Sequence, residues 1–217
     1  IGGVPAVGVF PSVLPWSAND DLSAYAHDPG KALALLSEAG IKDVDKDGWL
    51  DFRGAPLNIT IKTYTKRAEN KPSAEVVASQ LQEIGIRSQV QILESGALSD
   101  DMTAGNYDLA LYAWSTAPTG DPDYFLSKHF ESTGAEAKKT GYSSPDVDAL
   151  IRDGRSTFDQ KERTARYSKV QERVLEDSPE IFLFYLNELV GVSKRVKGFE
   201  IYPSEVTFLT NRVSLEA

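Results

Sequence analysis

The chain has no cysteine, which removes disulfides, thiolate nucleophiles and thiolate metal ligands together. Only two histidines occur, His27 and His129, too few for an imidazole-rich metal cage. A formal net charge of −9 leaves no basic stripe for phosphates and argues against a nucleic-acid partner. No apolar run approaches the roughly 20 residues of a membrane helix. Nucleophile elbows of the GxSxG kind and phosphate cradles of the GxGxxG or GxxxxGKS kind are also missing. The opening "IGGVPAVGVFPSVLPW" has no initiator Met, no basic leader and no cleavage pattern. It reads as the interior of a longer chain, with any signal peptide or lipid anchor lying upstream.

What is present is the pattern of a layered α/β protein. The first twenty residues, with Pro5, Pro11 and Pro15, read as an extended connector. "HDPGKALALLSEAG" follows as a helix, with Asp28 as cap, Pro29 in the first turn, Gly40 as stop and Ala32, Leu35, Leu36 and Ala39 on one face. "LNITIKTYT" alternates as a half-buried strand, and "KPSAEVVASQLQEIG" is a helix with Val76, Val77, Leu81 and Ile84 inward. A strand in "IRSQVQIL", a short helix in "ALSDDMTAG" and a strand in "YDLALYAW" complete a βαβ-type series. Helices are then expected in "DPDYFLSKHF", "SPDVDALIRDGRSTF" and "DQKERTARYSKVQERVLEDS", and a strand in "IFLFYLNELVGVS".

The acidic stretch "DVDKDGWLD" sets Asp43, Asp45 and Asp47 at the first, third and fifth places of a calcium loop, with Asp51 at the ninth. The twelfth place is Gly54, where a full site needs a bidentate Glu. The alternatives are a solvated turn and a weak calcium site. His27 reads as a helix-entry residue and His129 as a surface or interface residue. A metal-dependent hydrolase built on the acidic loop is one rival function, and a purely structural interaction domain is another.

Trp114 poses the sharper question, because it ends a strand and is followed by "STAPTG". Ligands of α/β sheets collect beyond the carboxyl ends of the strands. An indole there offers an aromatic face and an N–H donor, while Ser115, Thr116 and Thr119 add small hydroxyls. Packing of Trp114 beneath its own loop is the structural alternative.

Four stretches in order, "HDPGKALALLSEAGIKDVDKDGWLD", "VVASQLQEIGI", "YDLALYAW…GDPDYFL" and "GYSSPDVDALI", resemble the carboxyl-terminal part of the family 5 extracellular solute-binding proteins. The closing "VSKRVKGFEIYP" resembles that family's return strand. The family delivers oligopeptides, dipeptides, nickel or metal chelates to ABC importers. The resemblance implies an α/β lobe of a type II (cluster C) periplasmic binding protein, non-catalytic and without a cofactor. It implies an inter-lobe crossing at 1–19, a second ligand-binding lobe at 20–192 and a return segment at 193–217, the first lobe being absent.

By the same resemblance, Trp114, Ser115, Thr116, Ala117, Pro118 and Thr119 line the ligand cleft; Asp121, from its own "DP" context, reads as a helix cap and not as a ligand contact. Peptide-binding members carry an Asp three positions after this Trp, pairing the peptide ammonium; Ala117 stands there. That departure turns the expected ligand towards nickel or another metal chelate, with short peptides as the alternative. The expected partner is an ABC permease, the expected location periplasmic or cell-surface, and the expected state a monomer.

Overall fold

Prolines and small polar caps open several helices of this chain, glycines close others, and β-branched alternation supplies the central strand. The computed structural model describes residues 2–17, 26–116, 118–202 and 210–216. In chain order the strands are β1 (Gly3–Pro5), β2 (Asp51–Phe52), β3 (Ala55–Pro56), β4 (Asn58–Tyr64), β5 (Arg87–Leu93), β6 (Leu109–Ala110), β7 (Phe184–Leu186), β8 (Val196–Lys197) and β9 (Ser214–Leu215). The helices are α1 (Pro29–Glu38), α2 (Asn70–Glu83), α3 (Ser95–Ala104), α4 (Asp123–His129), α5 (Ala135–Thr140), α6 (Pro145–Arg155) and α7 (Gln160–Asp177). No described helix is long and apolar enough to cross a membrane. The fold is α/β, in two compact units: Tyr25–Trp114, and Ile1–Ala24 with Ser115–Ala217.

In the first of these units, β4 is the centre of a parallel sheet ordered β5-β4-β6. Ile61 and Thr63 are buried on one face, while Thr60 and Lys62 are half-buried on the other. On the buried face, Ile61 meets Ala74 and Ala78 of α2, with Val77, Leu81, Val90, Leu109 and Leu111 packed around them. Alanines at that contact let the helix axis approach the sheet, with Val77 and Leu81 packed beside them as expected. Val76, expected inward, is 56% exposed. Likewise no residue of α1 is buried, although its sequence is amphipathic. The expected eight-residue strand ending at Trp114 pairs as a ladder only at Leu109 and Ala110, and the Leu111 amide extends it by donating to the Lys62 carbonyl at 2.8 Å.

The second unit is built on α6 and α7. Val147 and Ile151 of α6 and Tyr167, Val170 and Val174 of α7 are fully buried. Ser144 accepts from the Val147 amide to open α6, and Asp159 accepts from the Glu162 amide to open α7. Gly154 is required by close approach, because a Cβ there would lie 2.6 Å from the Tyr167 ring. The opening residues are more than a connector: β1 pairs antiparallel with β7, and Val9, Phe10, Leu14 and Trp16 are buried. Phe10 packs edge-on to Phe125 of α4.

His129 departs from its expected surface role. It is fully buried, stacks on Phe125 at 3.9 Å, and its Nδ1 lies 2.7 Å from Glu180 Oε1. Polar flanks hid this burial, since Lys128 and Glu131 make the stretch look solvated.

Candidate functional site

Strand order decides where the sheet of the first unit can receive a ligand. The chain runs from β4 to β5 on one side, then returns past β4 to lay β6 on the other. Because β6 is laid on the side of β4 away from β5, the strand order reverses between β4 and β6, which makes their carboxyl ends a topological switch point. The pairing of Ile61 with Leu109 continues through Thr63, whose hydroxyl donates to the Leu111 carbonyl at 2.7 Å. Prolonging that register brings Tyr64, the last residue of β4, level with Tyr112. Trp114 comes two residues later and is half-buried, its ring edge-to-face with Tyr112 at 6.1 Å. The indole therefore sits just past the strand end and is not sunk in the core.

The connection from β4 to α2 occupies the same edge of the sheet. Two of its polar atoms are buried without a hydrogen-bond partner in the structure, Glu69 Oε1 and Asn70 Nδ2. Asn70 is only 1% exposed and begins α2, its own backbone amide donating to the Arg67 carbonyl at 3.2 Å. Sequence reasoning missed both residues, because a polar pair ahead of an amphipathic helix looks like an ordinary helix entry. A groove of about 700 Å³ lies over the polar face of the sheet, lined by Thr60, Lys62, Gln89, Gln91, Asn106 and Asp108 among others; Trp114 is not in its lining.

Beyond Trp114 the chain belongs to the other unit. Ser115, Thr116 and Pro118 are half-buried and Thr119 is exposed, while Ala117 lies outside the described residues. Gly120 turns the chain with φ of +76°, a conformation that suits glycine. Its carbonyl accepts from the Trp16 indole at 2.6 Å. Asp121 has two duties: Oδ1 accepts from the Asp123 amide at the start of α4, and both oxygens accept from Arg163. Burial pushes the Asp121 carboxyl up, but hydrogen bonds from Arg163 and the Asp123 amide outweigh it and hold it below the ordinary carboxylate value. The expected cap is displaced by one residue: Pro122 is the cap position of α4, and Asp121 serves the Asp123 amide from just outside it. The arginine partner was not visible, since 42 residues separate the two.

The acidic loop divides differently from its sequence pattern. Ligand atoms of Asp43, Asp45 and Asp51 lie within 4.8 Å of one another, the only such grouping of three or more metal-ligating residues among the described residues. Asp47 is outside that group, because its Oδ2 accepts from Arg87 at 2.7 Å. The loop's own amides use the other carboxylates: Asp43 accepts from Lys46 and Gly48, and Asp51 from Val44. These bonds account for the acidic residues as turn-formers and give no support to a resident calcium ion.

Comparison with known proteins bears on the whole chain. Residues 1–137 match the family model described as bacterial extracellular solute-binding proteins, family 5 Middle. Di/tripeptide-binding protein 4 of Pseudomonas aeruginosa is 32% identical over 215 residues, 96% of this chain and 38% of that protein. Among solved structures, the oligopeptide-binding protein AppA of Bacillus subtilis with a nonapeptide superposes with a TM-score of 0.83 at 26% identity, covering 99% of this chain and 43% of that one. A nickel ABC transporter protein of Bacillus halodurans gives 0.76 at 26% identity, covering 97% and 43%. The chain thus spans less than half the length of these relatives. With the family model matching more than half of its residues, the chain belongs to the bacterial extracellular solute-binding proteins of family 5.

Proposed function

We propose that this chain is the second ligand-binding lobe of a non-catalytic receptor that captures a small solute outside the cytoplasm and passes it to an ABC permease. The observation that carries the reading is Trp114, half-buried just past the carboxyl end of β6 beside the switch point of a parallel sheet. The ligand lies against its indole, with Ser115, Thr116, Pro118 and Thr119 shaping the wall and Asn70 offering a buried donor from the β4–α2 edge. Residues 1–19 form the crossing from a first lobe, 20–192 the second lobe, and 193–217 the return. Capture follows from lobe closure, in which the ligand stabilises the closed state by contacts absent from the open one.

Short peptides are the ligand class best supported, because the similar proteins include a di/tripeptide receptor and a structure holding a nonapeptide. A metal chelate is the second reading. It is favoured by Ala117, which stands where the resemblance puts an ammonium-pairing Asp, and by the nickel transporter protein among the structural neighbours. Native mass spectrometry of the full-length protein, released from its co-purified ligand, tests both. Peptide masses support the first reading, and a nickel isotope pattern on an organic chelator supports the second. Retention of neither, with no binding to a peptide library or to chelated nickel, would remove the receptor reading.

A further inference from the structure

We propose that Arg163 is a positioning residue for the ligand-facing segment, a role that rests on the receptor reading above. Arg163, Tyr167 and Gln171 follow one another at four-residue spacing on one face of α7. That face holds the far end of the segment through two contacts. Arg163 donates from its two terminal nitrogens to the two oxygens of Asp121. Gln171 donates to the carbonyl of Trp16 at 3.1 Å, and the Trp16 indole in turn donates to the Gly120 carbonyl.

The guanidinium itself has little freedom. Its Nε donates to the Gly154 carbonyl at 2.9 Å and Nη2 also reaches the Tyr167 hydroxyl at 3.1 Å. The rings of Trp16 and Tyr167 lie at 5.3 and 5.1 Å from its central carbon. Edges and faces of the planar group are thus engaged at once, which a lysine ammonium cannot reproduce. The consequence falls on Ser115, Thr116, Pro118 and Thr119, which end directly at the clamped Gly120–Asp121 pair. A segment held in its working shape loses less freedom when ligand arrives, and so binds more tightly.

The test uses the full-length protein with Arg163→Lys, and with Trp16→Phe as a second variant that keeps an aromatic ring but loses the indole donor. Hydrogen exchange at the amides of Ser115, Thr116, Thr119 and Gly120 is followed without ligand. Binding of trialanine and of the nickel(II)–histidine complex is measured by calorimetry. Exchange at those amides is expected to accelerate about tenfold in each folded variant, with α6 amides unchanged, and affinity for whichever probe the unaltered protein binds to fall about tenfold. Unchanged local exchange, uniform acceleration across the unit, or faster local exchange with undiminished affinity would each overturn the proposal. Should Arg163→Lys fail to fold, Trp16→Phe decides the matter alone. If the unaltered protein binds neither probe, the exchange data alone decide whether α7 orders the segment, and the receptor reading is decided separately by the co-purified ligand and the peptide library.

Discussion

Arg163 and Asp121 meet fork to fork, at 2.7 and 2.9 Å, directly after the segment that follows Trp114. Paired geometry of this kind is stronger and more directional than a single charge contact. It also makes the loop's anchorage sensitive to acid.

Asp121 is held below its ordinary 3.8 even though burial acts the other way. A carboxyl depressed in the folded state contributes stability that is fully present above its unfolded value, and loses it as pH falls through the folded one. Wild type should therefore melt higher than Asp121→Asn at pH 6, with the gap closing below about pH 4. Calorimetric scans between those limits check the sign. A gap that stays constant into acid would contradict the ionised pair.

Gly154→Ala sets two effects against each other. Alanine favours helix by about 1 kcal/mol, but its Cβ would lie 2.6 and 2.8 Å from Tyr167 ring carbons. Overpacking of that severity costs about 1–3 kcal/mol, so a net loss is expected. Urea denaturation should show a lower midpoint with unchanged slope. A variant as stable as wild type would mean that Tyr167 yields without cost.

Calcium should have little effect. Asp43 and Asp51 are already engaged by loop amides, and Asp47 is turned to Arg87. Binding, if measured by thermal shift, is expected only at about millimolar calcium or above. A midpoint that rises with micromolar calcium would show that the loop rearranges into a real site.

Asn70→Ala separates a ligand role from a structural one. Its amide nitrogen is buried without a protein partner, so removing it should leave stability nearly unchanged. If that donor serves the ligand, affinity falls about tenfold, or ~1.4 kcal/mol. Equal affinity in mutant and wild type would remove Asn70 from the site.

The parts of the fold legible in sequence are those with local causes. Asp28, Ser144 and Asp159 mark helix starts because each accepts from an amide three residues on. The β4–α2–β5 series follows from alternation giving way to helical periodicity. What could not be read arises from contacts distant in the chain. Trp16 is buried because α7 supplies Gln171 and Tyr167 more than a hundred residues later. His129 is buried because Glu180 and Phe125 enclose it, while Lys128 and Glu131 flank it in sequence. In α2 the small alanines face the sheet and Val76 faces out, since proximity of helix to strand outweighs hydrophobicity. Of the candidate site, a strand leading towards the indole was legible, although its ladder stops at Ala110; the α7 clamp and the Asn70 donor were not.

The account turns most directly on the affinity of the full-length protein for its co-purified ligand, compared by calorimetry with that of Trp114→Ala. Loss of the indole is predicted to weaken binding by about tenfold or more. Affinity preserved in the variant would contradict an aromatic wall at position 114, and with it this reading of the site.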